Sequence, residues 1–123
     1  MESEGVEPTP FARDCGSRQV LDRIGDRWSV LVVLTLADGG KRFSELARRI
    51  EGVSQKMLTQ ALRGLERDGL ITRTAYATVP PRVDYALTDL GRSLLDLLGG
   101  LEAWATTHLG EVEAARARYD AAG

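Results

Sequence analysis

Cysteine and histidine are almost absent from this chain. Cys15 and His108 are the only ones among 123 residues. One cysteine excludes a disulfide framework within the chain. It argues equally against a Cys-based zinc site within one chain, to which the single His108 adds little. A lone histidine also leaves no Ser–His–Asp set, and there is neither a glycine-rich phosphate loop nor a metal-ligand constellation. No catalytic residue, metal site or cofactor is therefore indicated. No apolar run approaches the roughly 20 residues that span a bilayer. Residues 1–10 are acidic and Pro-containing, without the basic and apolar regions of a secretory signal. A cytoplasmic protein with no membrane association is the expectation.

An excess of basic charge is also missing, since the formal net charge is −2. Its distribution is uneven. Residues 1–40 carry four basic and seven acidic groups, and residues 88–123 carry three and six. Between them, residues 41–67 carry seven basic groups (Lys41, Arg42, Arg48, Arg49, Lys56, Arg63, Arg67) against three acidic ones. Binding of a polyanion depends on where charge sits, so a basic middle between acidic ends is compatible with nucleic acid. The same seven groups could equally solvate helix faces.

Helical spacing of Val20, Leu21 and Ile24 predicts a short helix over 17–24. Asp26 is a suitable N-cap for an apolar helix over 27–37, which Asp38, Gly39 and Gly40 end. A third helix over 43–50 places Phe43, Leu46, Ala47 and Ile50 on one face. After a turn at Glu51, Gly52 and Val53, Ser54 caps a longer helix to Asp68. Its expected buried stripe is Met57, Leu58, Ala61, Leu62 and Leu65. Two helices joined by a three-residue turn containing glycine fit a helix-turn-helix. The period then changes, with strands expected over 70–76 and 82–87 and a hairpin tip at 77–81. Pro80 and Pro81 cannot donate ladder hydrogen bonds and belong in that tip. Thr88 caps a final long helix from Asp89, apolar at Leu90, Leu94, Leu97, Leu98, Leu101 and Trp104. Residues 111–119 are its frayed end or a short separate helix.

A hairpin directly after the second helix of a helix-turn-helix is the layout of a winged helix, mainly α with a β-hairpin wing. Opposite its buried stripe, the helix over 54–68 shows Gln55, Lys56, Thr59, Gln60, Arg63 and Arg67. Glutamine can bond adenine twice, Arg or Lys can bond guanine, and Thr can touch a thymine methyl. Ser54 joins this set at the helix start, where free N–H groups favour phosphate. Arg42 and Ser44 are candidate phosphate contacts. Arg82, beside the Pro-Pro tip, is a candidate for phosphate or minor-groove contact.

The chain resembles the HxlR family of bacterial regulators, relatives of MarR-type winged helices. The motifs are Cys15, Ile24-Gly25-Asp26-Arg27-Trp28, Arg42-Phe43-Ser44-Glu45-Leu46 and Val53-Ser54-Gln55-Lys56-Met57-Leu58-Thr59. They continue with Leu62-Arg63-Gly64-Leu65-Glu66-Arg67-Asp68-Gly69-Leu70, then Val79-Pro80-Pro81-Arg82-Val83-Asp84-Tyr85-Ala86-Leu87-Thr88, and end on Trp104 and His108. Asp26-Arg27 stands where Gly-Lys is commoner, and Asp84 where Glu is commoner. The resemblance implies a homodimer assembled through N- and C-terminal helices on an inverted-repeat DNA operator, usually as a repressor. The expected division is a flexible arm over 1–14, a DNA-binding domain over 15–110 that includes the dimerisation helix from 89, and a tail or helix end over 111–123.

Cys15 lies between Arg13 and Arg18, whose positive charge would favour a reactive thiolate, while Asp14 opposes it. Its place in the chain matches a cysteine that members of the resembled family use to sense oxidants or electrophiles. A buried, inert thiol is the alternative. Two further readings stay open. The regulator could answer a small-molecule inducer through an apolar pocket lined by Trp28, Phe43, Tyr85 and Trp104. The winged helix could instead be a protein-interaction module, which should expose apolar residues on the helix over 54–68.

Overall fold

The computed structural model describes residues 16–123, so the expected N-terminal arm and Cys15 lie outside the described residues. Helix α1 (Gly16–Gly25) leads to α2 (Arg27–Thr35), which one 3-10 turn over Leu36–Asp38 extends. Strand β1 (Lys41–Arg42) precedes α3 (Phe43–Arg49) and α4 (Gln55–Arg67). The hairpin of β2 (Ile71–Tyr76) and β3 (Arg82–Leu87) follows, then a short α5 (Asp89–Arg92) and a long α6 (Leu95–Ala122).

Three helix starts are set by the capping residues that the sequence indicated. Asp26 accepts from the Ser29 backbone N–H at 2.9 Å. Ser54 accepts from Met57 N–H at 3.1 Å, and Thr88 accepts from Gly91 N–H at 3.0 Å. Each cap satisfies a donor that the first helical turn leaves unpaired. Between α2, α3, α4 and the sheet, Val32, Val33, Leu36, Leu46, Leu58, Leu62, Leu65, Ile71 and Tyr85 form the buried core. Burial of each large aliphatic side chain there is worth about 1.5–3 kcal/mol.

The sheet has three strands in the order β1-β3-β2, all antiparallel. Strand β1, too short to show in the sequence pattern, pairs Lys41 with Tyr85 and Arg42 with Asp84. It fastens the start of α3 to the wing. Lys41 is only 7% exposed. Its ammonium donates to Asp38 Oδ1 at 2.6 Å and to the Gly39 carbonyl at 3.1 Å. Lys41 therefore closes a turn and is not a surface cation.

Four expectations need correction. Met57 is not in the buried stripe, being 44% exposed, because the stripe centres on Leu58, Ala61, Leu62 and Leu65 and Met57 falls at its edge. Ala47 likewise points outward. The helix expected from Asp89 is broken at Ser93 and Leu94. There the Ser93 hydroxyl donates to the Leu90 carbonyl at 2.5 Å, and the Ser93 amide is shared between the Asp89 and Leu90 carbonyls. A serine hydroxyl that competes for carbonyls in this way loosens the regular ladder. Lastly, residues 111–119 are neither frayed nor separate, since α6 continues through them to Ala122.

The joint between wing and terminal helices is tight. Leu70 O accepts from Thr88 N–H at 3.1 Å, and Gly69 O accepts from the Thr88 hydroxyl at 2.7 Å. A β-carbon added at Gly91 would collide with the Leu70 carbonyl oxygen. Only glycine allows α5 to approach the backbone there so closely.

Candidate nucleic-acid interface

The buried stripe of α4 fixes what the rest of the helix presents. With 3.6 residues per turn, Lys56, Gln60, Arg63 and Arg67 lie along the outermost line, directly opposite Leu58, Leu62 and Leu65. All but Gln60 carry positive charge, and no acidic residue interrupts the line. Gln55, Thr59 and Glu66 fall on the flank toward the wing. Met57, Gly64 and Asp68 fall on the flank toward α1 and α2.

Both flanks border concave surfaces. On the wing side, Gln55, Thr59, Arg63 and Glu66 share a cleft with Arg73, above Phe43, Leu62 and Tyr85. On the other side, Met57 and Gln60 border a depression with Arg23, Asp26 and Trp28. Arg23 closes this flank, because its Nε donates to Asp68 Oδ2 at 2.9 Å. Its guanidinium lies so close over Gly64 that a β-carbon there would strike it. The missing side chain at Gly64 thus leaves room for a bridge between α1 and the end of α4.

A third concavity joins the start of α3 to the wing tip. Arg42, Ser44 and Arg82 line it together with Pro80 and Pro81. The Arg42 backbone is held by its N–H donating to Glu45 Oε1 at 2.9 Å. That hydrogen bond keeps the Glu45 carboxyl below the usual carboxylate range. Ten candidate contact residues thus group in two places. Ser54, Gln55, Lys56, Thr59, Gln60, Arg63 and Arg67 are on α4 or its cap, and Arg42, Ser44 and Arg82 surround the wing-tip hollow.

The arginines are not electrostatically alike. Arg82 is engaged twice by Asp84, with Nε to Oδ1 at 2.8 Å and Nη2 to Oδ2 at 2.9 Å. It also lies over the Tyr76 ring, 5.5 Å from its centroid. The hydrogen bonds to Asp84 push the Arg82 pKa up, and those from Arg82 hold the Asp84 carboxyl below its ordinary range. Asp84 therefore aims this guanidinium and offsets much of its charge. By contrast, Lys56, Arg63, Arg67 and Arg73 form no ion pair among the described residues. Arg73 is absent from the sequence-derived set. Strand alternation was the available signal, since it puts Arg73 on the same face as buried Ile71 and hence toward α4.

A second exposed surface lies on the terminal helices. Leu97, Leu101 and Trp104 recur at helical spacing on α6, each more than half exposed, and Leu98 is the buried residue of that helix. Val20 and Leu90 border an apolar groove between α1 and α5. Trp104 also packs on His108, with ring centroids 4.7 Å apart. Within the chain, Phe43 and Tyr85 share the wing-side cleft while Trp28 borders the other depression. Trp104 lines neither of them. No helix among the described residues is long and apolar enough to cross a membrane.

The family model described as HxlR-like helix-turn-helix matches residues 23–113. The chain is 47% identical over 106 residues to the HTH-type transcriptional regulator YtfH of Escherichia coli (strain K12), covering 86% of this chain and 84% of that protein. The solved structure of the transcriptional regulator ytfH from Salmonella typhimurium superposes with a TM-score of 0.84 at 45% identity, covering 89% and 98% of the two chains. The structure of the redox regulator HypR in its oxidized form superposes with a TM-score of 0.69 at 39% identity, covering 76% and 96%.

Proposed function

The chain belongs to the HxlR-like helix-turn-helix family of transcriptional regulators, and on that premise we propose that it is a repressor that binds an inverted-repeat DNA operator as a homodimer. Helix α4 enters the major groove, and the wing tip reaches the neighbouring backbone or minor groove. The observation that carries this reading is the outer line of α4. Lys56, Gln60, Arg63 and Arg67 are exposed together, three of them cationic and without an ion pair among the described residues. A protein-binding face would expose apolar side chains there instead.

The apolar stripe of α6 and the groove between α1 and α5 are the dimer surface in this reading. A single module makes few contacts, and linking two modules raises the effective concentration of the second at its half-site. The test is binding of purified protein to duplex DNA near 50 mM salt and above. Log affinity should fall with log salt by about 0.9 for each neutralised phosphate. No measurable duplex binding at the low-salt end would contradict the proposal.

Signal reception is assigned to Cys15. It rests on the flanking Arg13 and Arg18 and on the likeness to a protein named a redox regulator. An oxidant such as diamide would take two electrons and two protons from a pair of thiols. The product is a disulfide between two Cys15 residues of the dimer, or between Cys15 and a small thiol. Diamide should weaken operator binding by the wild type and leave Cys15→Ser unaffected. An equal response of both proteins would remove Cys15 from the account and favour a small-molecule inducer.

A further inference from the structure

We propose that Arg73, at the base of the wing, holds a backbone phosphate of bound DNA beside α4. The inference rests on the reading of α4 as the major-groove helix. If α4 lies in the major groove and the wing tip reaches the adjacent minor groove, the sugar–phosphate strand between those grooves must cross the gap between α4 and the sheet. That gap is the cleft bordered by Gln55, Thr59, Arg63 and Arg73.

Three features fit Arg73 to this position. Its backbone is held in the middle of the β2–β3 ladder, opposite buried Tyr85, so its point of attachment is rigid. It is exposed and forms no ion pair among the described residues, so a phosphate need not displace a carboxylate, as it must at Arg82. Its planar guanidinium can bond two phosphate oxygens at once. Glu66 borders the same cleft and opposes an anion there. Arg73 consequently adds affinity without regard to base sequence, while Glu66 limits it.

Fluorescence anisotropy with a labelled mixed-sequence duplex, measured over a salt series, tests this directly. Arg73→Gln should flatten the salt dependence by about 0.9 per subunit, close to two for a dimer. Arg73→Lys should keep the wild-type slope, since an ammonium also neutralises a phosphate. Glu66→Gln should tighten binding by roughly two- to fivefold, the range of a screened surface charge interaction. Should Arg73→Gln fail to fold by circular dichroism, Arg73→Thr, which suits a strand, takes its place in the same slope measurement. A wild-type slope in folded Arg73→Gln, or unchanged affinity in Glu66→Gln, overturns the assignment and leaves the reading of α4 intact. Absence of salt-dependent binding by the wild type overturns both.

Discussion

The two exposed surfaces of this fold differ in kind. On α4 the outward line is cationic and polar, and behind it Leu58, Leu62 and Leu65 are buried. On α6 the outward stripe is apolar, and Leu97, Leu101 and Trp104 remain exposed although Leu98 on its flank is buried. The α4 surface is complete as it stands, because charged side chains are content in water until an anion displaces it. The α6 surface is not, because its apolar side chains face water until something covers them, which in the proposed dimer is a second copy. One helix thus presents what a polyanion requires, and the other presents what a second apolar surface requires.

The difference can be broken from either end. The largest effect is expected on the apolar side. Leu97→Glu puts a charge on an exposed position of α6 and should give a folded monomer by sedimentation. Operator affinity should drop by about 10²–10⁴-fold as the avidity of two linked half-sites is lost. An unchanged dimer with Leu97→Glu would show that α6 is not the dimer surface. Next, Leu62→Ala tests the inward face of α4. It should lower stability to urea by about 2–5 kcal/mol through the cavity it leaves.

On the outward face of the same helix, Gln60→Ala or Arg63→Ala should leave stability nearly untouched. Either should cost about 1–3 kcal/mol at the operator and relax base preference there. If neither changes operator affinity or base preference, the face is not a reading face. The smallest effect is at the wing tip, where Asp84→Asn removes the carboxylate that offsets Arg82. Duplex affinity should rise by a few-fold, about the worth of one exposed charge pair. A fall instead would mean that Asp84 matters more for aiming Arg82 than for opposing its charge.

Local features of the fold were legible in the sequence. Asp26, Ser54 and Thr88 each act on an N–H three residues ahead, so the residue type and the following apolar pattern suffice to place them. The winged layout followed from the change of period after Gly69. What was not legible depends on distant partners. Strand β1 is two residues long and exists only because β3 lies beside it. Lys41 counted as a basic surface group until the structure placed its ammonium on Asp38. The break at Ser93 is hidden within a leucine pattern that continues through it.

The candidate interface shows the same division. The outer line of α4 is a property of one helix and could be read directly. The cleft that adds Arg73 is formed by packing α4 against the wing, which no single segment specifies. The Arg82–Asp84 pair lies between these cases. Residues two apart on a strand share a face, so their approach was available from sequence. The bidentate contact itself required the structure.

The central claim is that the cationic face of α4 reads DNA in pairs. Its most direct measurement is footprinting of the purified protein on genomic fragments selected by affinity. The account predicts protected inverted repeats whose half-sites lie about one helical turn, roughly 10 base pairs, apart. Selected fragments without a shared repeat, or protection that Arg63→Ala leaves unaltered, would contradict it.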